Sequence, residues 1–535
     1  MPKIRFLILA AILGSFATAG VHGEEPFVAY LVLLKPGPAA DAGLEDAPLP
    51  LVTSQYIRRS TWLPRAATRR FRLSAKKQRH ATRLQRLMDG LRQDRRRYRD
   101  FNSLWLANGM RIVCTASAAR SLAREPEVAA VVQEPFLSVT LPETAARTAS
   151  SAGSWQLDAC GVRTLRDSMG LTGKGVVVGV LDTGVVAQGP LEGQIAAYRD
   201  FTSNPSASPS DPIGHGSEVA SVLVGKESGE QSGVAPGCRL VVARVIEELE
   251  LPADDSGRRK VVGAFAGRIL EAMQWMLDPD GSAVANETPR IINNSWGFGN
   301  GSYVSQDYFR SAILAWNNAG TLAVFSSGNI TGMSAPFTFF PASYQEVLAV
   351  GAVNTDRSLS PFSATGDPKL DLIKPDLVAP GSSVLAWSAQ GGYELCDGTS
   401  FAAPVVSGTA ALLLEAWPEL SRQELWDLLT SAAADLGEPG RDRQFGAGLL
   451  NGEDAGRRLM QLAVSKLTEA STPEAFLEGL ERVLSRQELP FAAQAAAEAT
   501  SQYVAKLSAQ DRAALPRLPG DKFPTAKRYL LGNLH

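Results

Sequence analysis

Histidine is scarce in this chain: 535 residues contain only His22, His80, His215 and His535. Four imidazoles so far apart exclude a His-rich metal site. Cysteine is equally rare, with Cys114, Cys160, Cys238 and Cys396 too few for a disulfide scaffold. No Cys-x-x-Cys pair occurs, so a zinc ribbon is excluded as well. If processing removes Cys114, three thiols remain and at least one of them stays unpaired; spacing alone leaves any bridge open. Beyond the N-terminus no stretch reads as the ~20 apolar residues needed to cross a bilayer, so no membrane span is expected. A net charge of −2 gives no positive surplus for nucleic acid as the main partner.

What is present is ordinary in bulk and uneven in distribution. Apolar residues make up 45% and charged residues 20%, typical of a globular protein, and the length allows two or three domains. Residues 51–100 hold 16 Lys and Arg against three acids, a net +13 that leaves −15 for the rest. A basic block on an acidic body suits either a polyanion-binding arm or two parts of one chain attracting each other. At the N-terminus, Lys3 and Arg5 precede the apolar run Phe6 to Leu13 and the small-x-small triplet Ala17-Thr18-Ala19. That is the pattern of a secretory signal over 1–19, which predicts a secreted or periplasmic product.

Residues 24–140 read as a small α+β unit. Phe27–Leu34 has strand composition, and Ser74–Tyr98 reads as a helix with Leu84, Leu87 and Leu91 on one face. Gly109–Cys114 and Val128–Gln133 read as strands around a short helix from Ala116, a split βαβ order. Residues 141–154, rich in Ala, Ser and Thr, read as a linker. From 155 to 452, continuous Val/Ile/Leu runs alternate with amphipathic stretches. The runs are Val176–Leu181, Leu240–Val245, Ile291–Asn294, Leu322–Ser326 and Val347–Val353, and the helices include Gly267–Leu277 and Asp307–Asn318. Strands without polar alternation are buried on both faces, which predicts a three-layer α/β domain around a mostly parallel sheet. The acid-rich segment Ile246–Val262 reads as a solvated surface insertion. Residues 453–535 read as a helical extension, with Pro490, Pro516, Pro519 and Pro524 interrupting it.

Four stretches carry chemistry. In Val178-Gly179-Val180-Leu181-Asp182-Thr183-Gly184 a buried strand runs into an aspartate, which alone reads as an Asx-turn residue. In Gly214-His215-Gly216-Ser217-Glu218 the imidazole stands at a helix start, where the flanking glycines leave it open to a substrate. With residues 24–140 removed, His215 is the only imidazole left in the α/β unit. Val324-Phe325-Ser326-Ser327-Gly328-Asn329 is another strand ending in a carboxamide, either a loop cap or an oxyanion donor. In Asp397-Gly398-Thr399-Ser400-Phe401-Ala402-Ala403-Pro404, Ser400 opens an apolar helix whose first turn accommodates Pro404. Taken singly, Ser400 is an N-cap; beside free N–H groups and the helix dipole it is also a candidate nucleophile.

The conjunction is specific. Leu181-Asp182-Thr183-Gly184, Gly214-His215-Gly216, Gly233-Val234-Ala235-Pro236, Ser327-Gly328-Asn329 and Gly398-Thr399-Ser400 resemble, in that order, the subtilase family of serine peptidases. The resemblance implies a subtilisin-like domain preceded by a ferredoxin-like inhibitory propeptide over 24–140. It implies a secreted serine endopeptidase made as a zymogen and acting through an acyl-enzyme. Ser400 would be the nucleophile, His215 the base and then acid, and Asp182 the group orienting the imidazole. Asn329 would serve the oxyanion. The stretches Ser295-Trp296-Gly297 and Ser326-Ser327 resemble the walls of the pocket for the residue before the scissile bond. Implied partners are an extended polypeptide substrate and the chain's own propeptide; no cofactor is required.

Departures from the family pattern are local. Ser217-Glu218 stands where Thr-His is frequent, Phe401 replaces a frequent Met, and Val405 a frequent His. Trp296 replaces a smaller aliphatic residue, so the pocket width is not carried over. The family's calcium sites find no match, so no metal ligand is assigned and a structural calcium stays open. Two rival readings keep the same scaffold: a peptide ligase or macrocyclase, in which an amine intercepts the acyl-enzyme, and a non-catalytic binding protein.

Overall fold

Apolar segments pair here according to how many of their faces can be buried. The structure, a computed structural model, describes residues 25–35, 84, 87–89, 91–92, 94–141, 154–226, 233–254, 257–279, 288–299, 309–330, 337–470, 472–486, 490–508, 512 and 523–533. The expected signal segment at 1–19, residues 142–153 of the linker and most of the basic block lie outside them.

The N-terminal unit is a four-stranded antiparallel sheet of β1 (Phe27–Leu34), β2 (Tyr98–Leu104), β3 (Gly109–Thr115) and β4 (Val128–Gln133), in the order β2-β3-β1-β4. Helix α1 (Ala116–Leu122) starts where the Thr115 hydroxyl accepts from Ala118 N at 3.2 Å. The described part of the preceding helical segment buries Leu84 and Met88 against this sheet. The order is βαββαβ, one strand more than expected, because Tyr98 opens β2 rather than ending a helix. β2 is an edge strand that buries only Tyr98 and Leu104, its ends, so it shows no apolar run.

After β5 (Phe136–Ser138) the second unit is built on β6 (Val177–Asp182), β7 (Ile195–Asp200) and β8 (Arg239–Arg244), the hairpin β9 (Glu247–Asp254) and β10 (Gly257–Phe265), and then β11 (Ile291–Asn294), β12 (Leu322–Ser326), β13 (Leu348–Val353) and β14 (Leu377–Pro380). Seven of these form one sheet, β14-β13-β12-β11-β6-β8-β7, in which every pairing is parallel. Side chains alternate across it. Val178, Val180, Leu240, Val242, Val324 and Val350 enter one core, while Leu181, Val241, Ala243, Ile292, Phe325 and Ala349 enter the other. On the first face lie α2 (Val162–Met169), α3 (His215–Val224) and, later in the chain, the helix Thr399–Ala416; on the second lie α4 (Ala266–Trp275) and α5 (Arg310–Ala319). We call Thr399–Ala416 α6. It is long and apolar enough to cross a membrane, yet every residue in it is buried in the core. The chain leaves β6 toward β7 and β8 and later returns to its other side as β11. The carboxyl ends of β6 and β11 therefore flank a topological switch point, where open α/β sheets bind ligands.

Two expectations are corrected. The acidic insertion is not a loop: β9 and β10 pair antiparallel, and β10 also pairs with β5 through Gly263↔Ser138, Ala264↔Leu137 and Phe265↔Phe136. Acids alternate with Leu249 and Leu251 along β9, a pattern that charge alone obscured. Pro490 and Pro524 open helices (Pro490–Lys506 and Pro524–Gly532) instead of interrupting them, since the first helical position needs no N–H partner. The C-terminal helices share a core with α2 and α6 through Leu459, Phe476, Leu480 and Tyr503. Finally, all four cysteines are buried and none is in a disulfide.

The N-terminal unit sits on α4. Leu31, Leu104, Leu106, Leu137 and Val139 enter the core that holds Ile269 and Met273. Asn102 donates to Glu271 at 3.0 Å, while Gln274 accepts from Leu106 N at 3.0 Å and donates to Ser103 O at 2.9 Å. Docking among the described residues is thus apolar and hydrogen-bonded, with the buried Arg111–Glu134 ion pair set against Gly267 of α4. Gln274→Ala should weaken the contact by about 0.5–1.5 kcal/mol, the usual net worth of a hydrogen bond that is only partly buried. Amide exchange in β2 and β3 should quicken while α6 stays protected; unchanged exchange in both would contradict this account.

Candidate active site

Each motif residue stands where an element ends or begins. Asp182 is the last residue of β6 and is wholly buried. Its Oδ1 accepts from Thr183 N at 2.7 Å and lies 2.7 Å from Nδ1 of His215, the first residue of α3. The two are held in register by Asp211, which precedes α3. Asp211 Oδ1 accepts from Thr183 Oγ1 and Gly214 N, and Oδ2 accepts from Ser217 N and Oγ, all at 2.8 Å. One carboxylate therefore ties the turn after β6 to the first turn of α3. Gly216 completes the fit, and not by opening the ring to substrate: a Cβ there would lie 2.0 Å from Gly184 O.

Burial of the His215 ring disfavours its charged form. The adjacent Asp182 carboxylate, its hydrogen bond, and the Glu218 and Asp211 carboxylates together outweigh this and raise the imidazole pKa above its ordinary value. Nε2 of His215 is buried without a hydrogen-bond partner. Glu218 lies in the same helical turn, and burial pushes its carboxyl up to about 7, against the pull of His215 and with Glu394, Asp211 and Asp182 adding to it.

Ser400 is the second residue of α6, and the ring of its neighbour Phe401 lies 6.0 Å from the His215 ring, centroid to centroid. Its hydroxyl donates to Ser295 O at 3.1 Å rather than to His215. Gly398, not Ser400, occupies the N-cap. Pro404 is the sixth residue of α6 and not part of its first turn, so a proline sits inside the helix and cannot donate to the carbonyl of Ser400. The hydroxyl of Ser295 replaces that donor at 2.7 Å. Ser295 in turn accepts from Asn293 Nδ2 at 2.9 Å, and Asn293 Oδ1 accepts from Ser407 Oγ at 2.9 Å. The end of β11 is thereby stitched to both sides of the proline.

Asn329 follows β12. Its Oδ1 accepts from Thr399 N at 3.0 Å and Thr399 Oγ1 at 2.9 Å, which fixes the amide orientation and turns Nδ2 outward as a donor. Ser327 bonds through its backbone to Val350 and Phe339, and its hydroxyl is buried without a partner. Ser326 closes β12. Gly297 and Ser295 line the end of β11. The Trp296 indole is instead turned into an aromatic core with Phe298 and Phe325, both 5.4 Å away, and does not set the width of a pocket. Among the described residues no group of His, Cys, Asp and Glu could hold a metal ion.

Sequence reasoning missed Asp211, Thr399, Asn293 and Phe339. An acid four residues before His215 and a threonine beside Ser400 were visible as capping-type residues, but nothing local tells which strand end such a group will grip.

A model of the subtilase family matches residues 173–448. Bacillopeptidase F of Bacillus subtilis is 34% identical over 319 residues, covering 54% of this chain and 21% of that protein. Subtilisin-like protease PopC of Myxococcus xanthus is 32% identical over 307 residues, covering 53% and 60%. Subtilisin DY of Bacillus licheniformis is 30% identical over 290 residues, covering 54% and 93%. This chain thus spans a fifth of the first relative, three fifths of the second and nearly all of the third.

Two outcomes follow from this geometry. Ser295→Ala should cost about 1–3 kcal/mol by leaving the Ser400 carbonyl buried without a donor, read as a lower denaturation midpoint. Glu218 has a folded pKa above its unfolded value of 4.5, so it favours the folded state while protonated and loses that contribution as pH climbs toward about 7. Glu218→Gln should flatten that slope in thermal denaturation and be the more stable form at pH 8; parallel pH profiles would refute the burial argument.

Proposed function

The chain belongs to the subtilase family, and on that premise we propose that it is a serine endopeptidase, exported as a zymogen, that hydrolyses extended polypeptide through an acyl-enzyme. The observation carrying this reading is the buried Asp182–His215 hydrogen bond of 2.7 Å, with His215 Nε2 left unpartnered beside the helix turn that bears Ser400. Asp182 holds the imidazole in the tautomer that presents Nε2 and favours the imidazolium as it forms. Nε2 takes the Ser400 proton when the hydroxyl leaves Ser295 O; hydrogen bonds of this kind are often long before substrate binds. The hydroxyl then attacks the scissile carbonyl. The developing oxyanion is met by Asn329 Nδ2 and the backbone N–H of Ser400, which has no acceptor in the first turn of a helix. His215 returns the proton to the leaving amine, and water repeats the sequence on the ester.

An extended substrate is supported by β10. Its hairpin rises from the carboxyl end of β8, where Val245 N and Ile246 N donate to Asp182 O at 2.9 and 3.2 Å. The outer edge of β10 takes β5 as an added strand, continued by Val139 N donating to Val262 O at 3.0 Å. A peptide substrate would take the same edge once that segment is gone. This pairing supports reading the N-terminal unit as an inhibitor tethered to the domain it blocks.

Covalent labelling by an organophosphonate should fall on Ser400 alone. Ser400→Ala should abolish both hydrolysis and labelling and leave the precursor uncut near 141–154, whereas hydrolysis by that variant would refute the mechanism. Asn329→Ala should lower turnover by about 10²–10³-fold, the known value for such a donor in a subtilisin rather than one derived for this chain.

A further inference from the structure

The stretches that follow β11 and β12 open side by side next to Ser400, and a third segment is laced across both. Phe339 N donates to Ser327 O at 2.8 Å, and the next residue, Phe340, exchanges backbone hydrogen bonds with Phe298 at 2.7 and 3.1 Å. The Phe339 side chain is therefore delivered between the two walls, and it is 2% exposed. Its ring lies flat against Gly328. At φ +113° that residue has the left-handed conformation glycine favours, and a Cβ there would stand 2.4 Å from ring Cγ. On the other wall a Cβ on Gly297 would stand 3.0 Å from Phe339 Cβ. Each wall lacks a side chain at the place where the ring sits, and backbone bonds to both walls keep the ring from swinging out.

We propose that Phe339 is the specificity-determining residue of the site: its ring fills the hollow between Ser295–Gly297 and Ser326–Gly328, so that the residue before the scissile bond must be glycine, alanine or serine. This rests on the endopeptidase reading above and names its substrate class. Binding of a larger side chain requires the ring to leave a space whose surroundings are close-packed, and interiors respond poorly to added volume. The linker between the two units, residues 141–154, is itself rich in Ala and Ser, as a self-cleaved segment would be for such a pocket.

The test compares kcat/KM on tetrapeptide p-nitroanilides that differ only in ending with Ala, Leu or Phe. The native enzyme should favour Ala over Phe by at least about 10–200-fold, the discrimination one methylene brings in an apolar pocket. Phe339→Ala should erase or invert that ratio, and Phe339→Leu, which keeps most of the volume, should fall between. Should the Ala variant fail to fold, the native ratio and the Leu variant decide. A fluorophosphonate, which carries no side chain for this pocket, separates the two claims. No labelling of Ser400 overturns the endopeptidase reading and this proposal with it. Labelling together with equal cleavage after Ala and Phe, or folded variants with an unchanged ratio, overturns the proposal alone.

Discussion

A single hydrogen bond of 2.7 Å, between the carboxylate that ends β6 and the imidazole that begins α3, sets the terms for the rest of the molecule. Both groups are buried, so each would carry a desolvation cost if the other were displaced. The surroundings hold them together from outside the pair. Asp211 spends all its acceptor capacity on the two segments concerned, and Gly216 lets the turn after Asp182 approach to backbone contact. The pair is rigid because its supports are as buried as it is.

The Ser400 side is secured differently. A proline inside α6 removes the donor for the Ser400 carbonyl, a defect that by itself would kink or weaken the helix. Here it is repaired through Ser295, Asn293 and Ser407, and the repair ties the serine-bearing turn to the end of β11. Thr399 performs the parallel service for Asn329. The backbone irregularity and the site occupy the same turn, because a carbonyl freed from the helix is available to fix a neighbouring strand.

The β9–β10 hairpin links the Asp182 end of the sheet to the N-terminal unit. It grows from the strand next to Asp182, and its outer edge is covered by β5 of the N-terminal unit. An unpaired strand edge invites another chain, and covering it with the chain's own segment protects that edge. The same unit presses an apolar face onto α4, and the buried Arg111–Glu134 pair lies against the first turn of that helix.

Sequence alone determined the parallel α/β unit, because strands buried on both faces must be apolar at every position, and this is visible in Val176–Leu181 or Leu322–Ser326. It also put Asp182, His215, Asn329 and Ser400 at strand ends and helix starts, though each alone reads as a turn or cap residue and only the resemblance of the ordered motifs to the subtilase family singled them out. β2, β7 and β14 escaped notice: β2 and β7 are partly exposed edge strands without a continuous apolar run, and β14 is a four-residue strand at the other edge. Asp211, Asn293, Thr399 and Phe339 escaped for another reason. Their work is done on partners 28 to more than 100 residues away, or on a wall built by a different strand. Local propensity and spacing act over a few residues. Which distant carbonyl a threonine grips, or whether a ring fills a hollow, is decided only when packing brings the segments together.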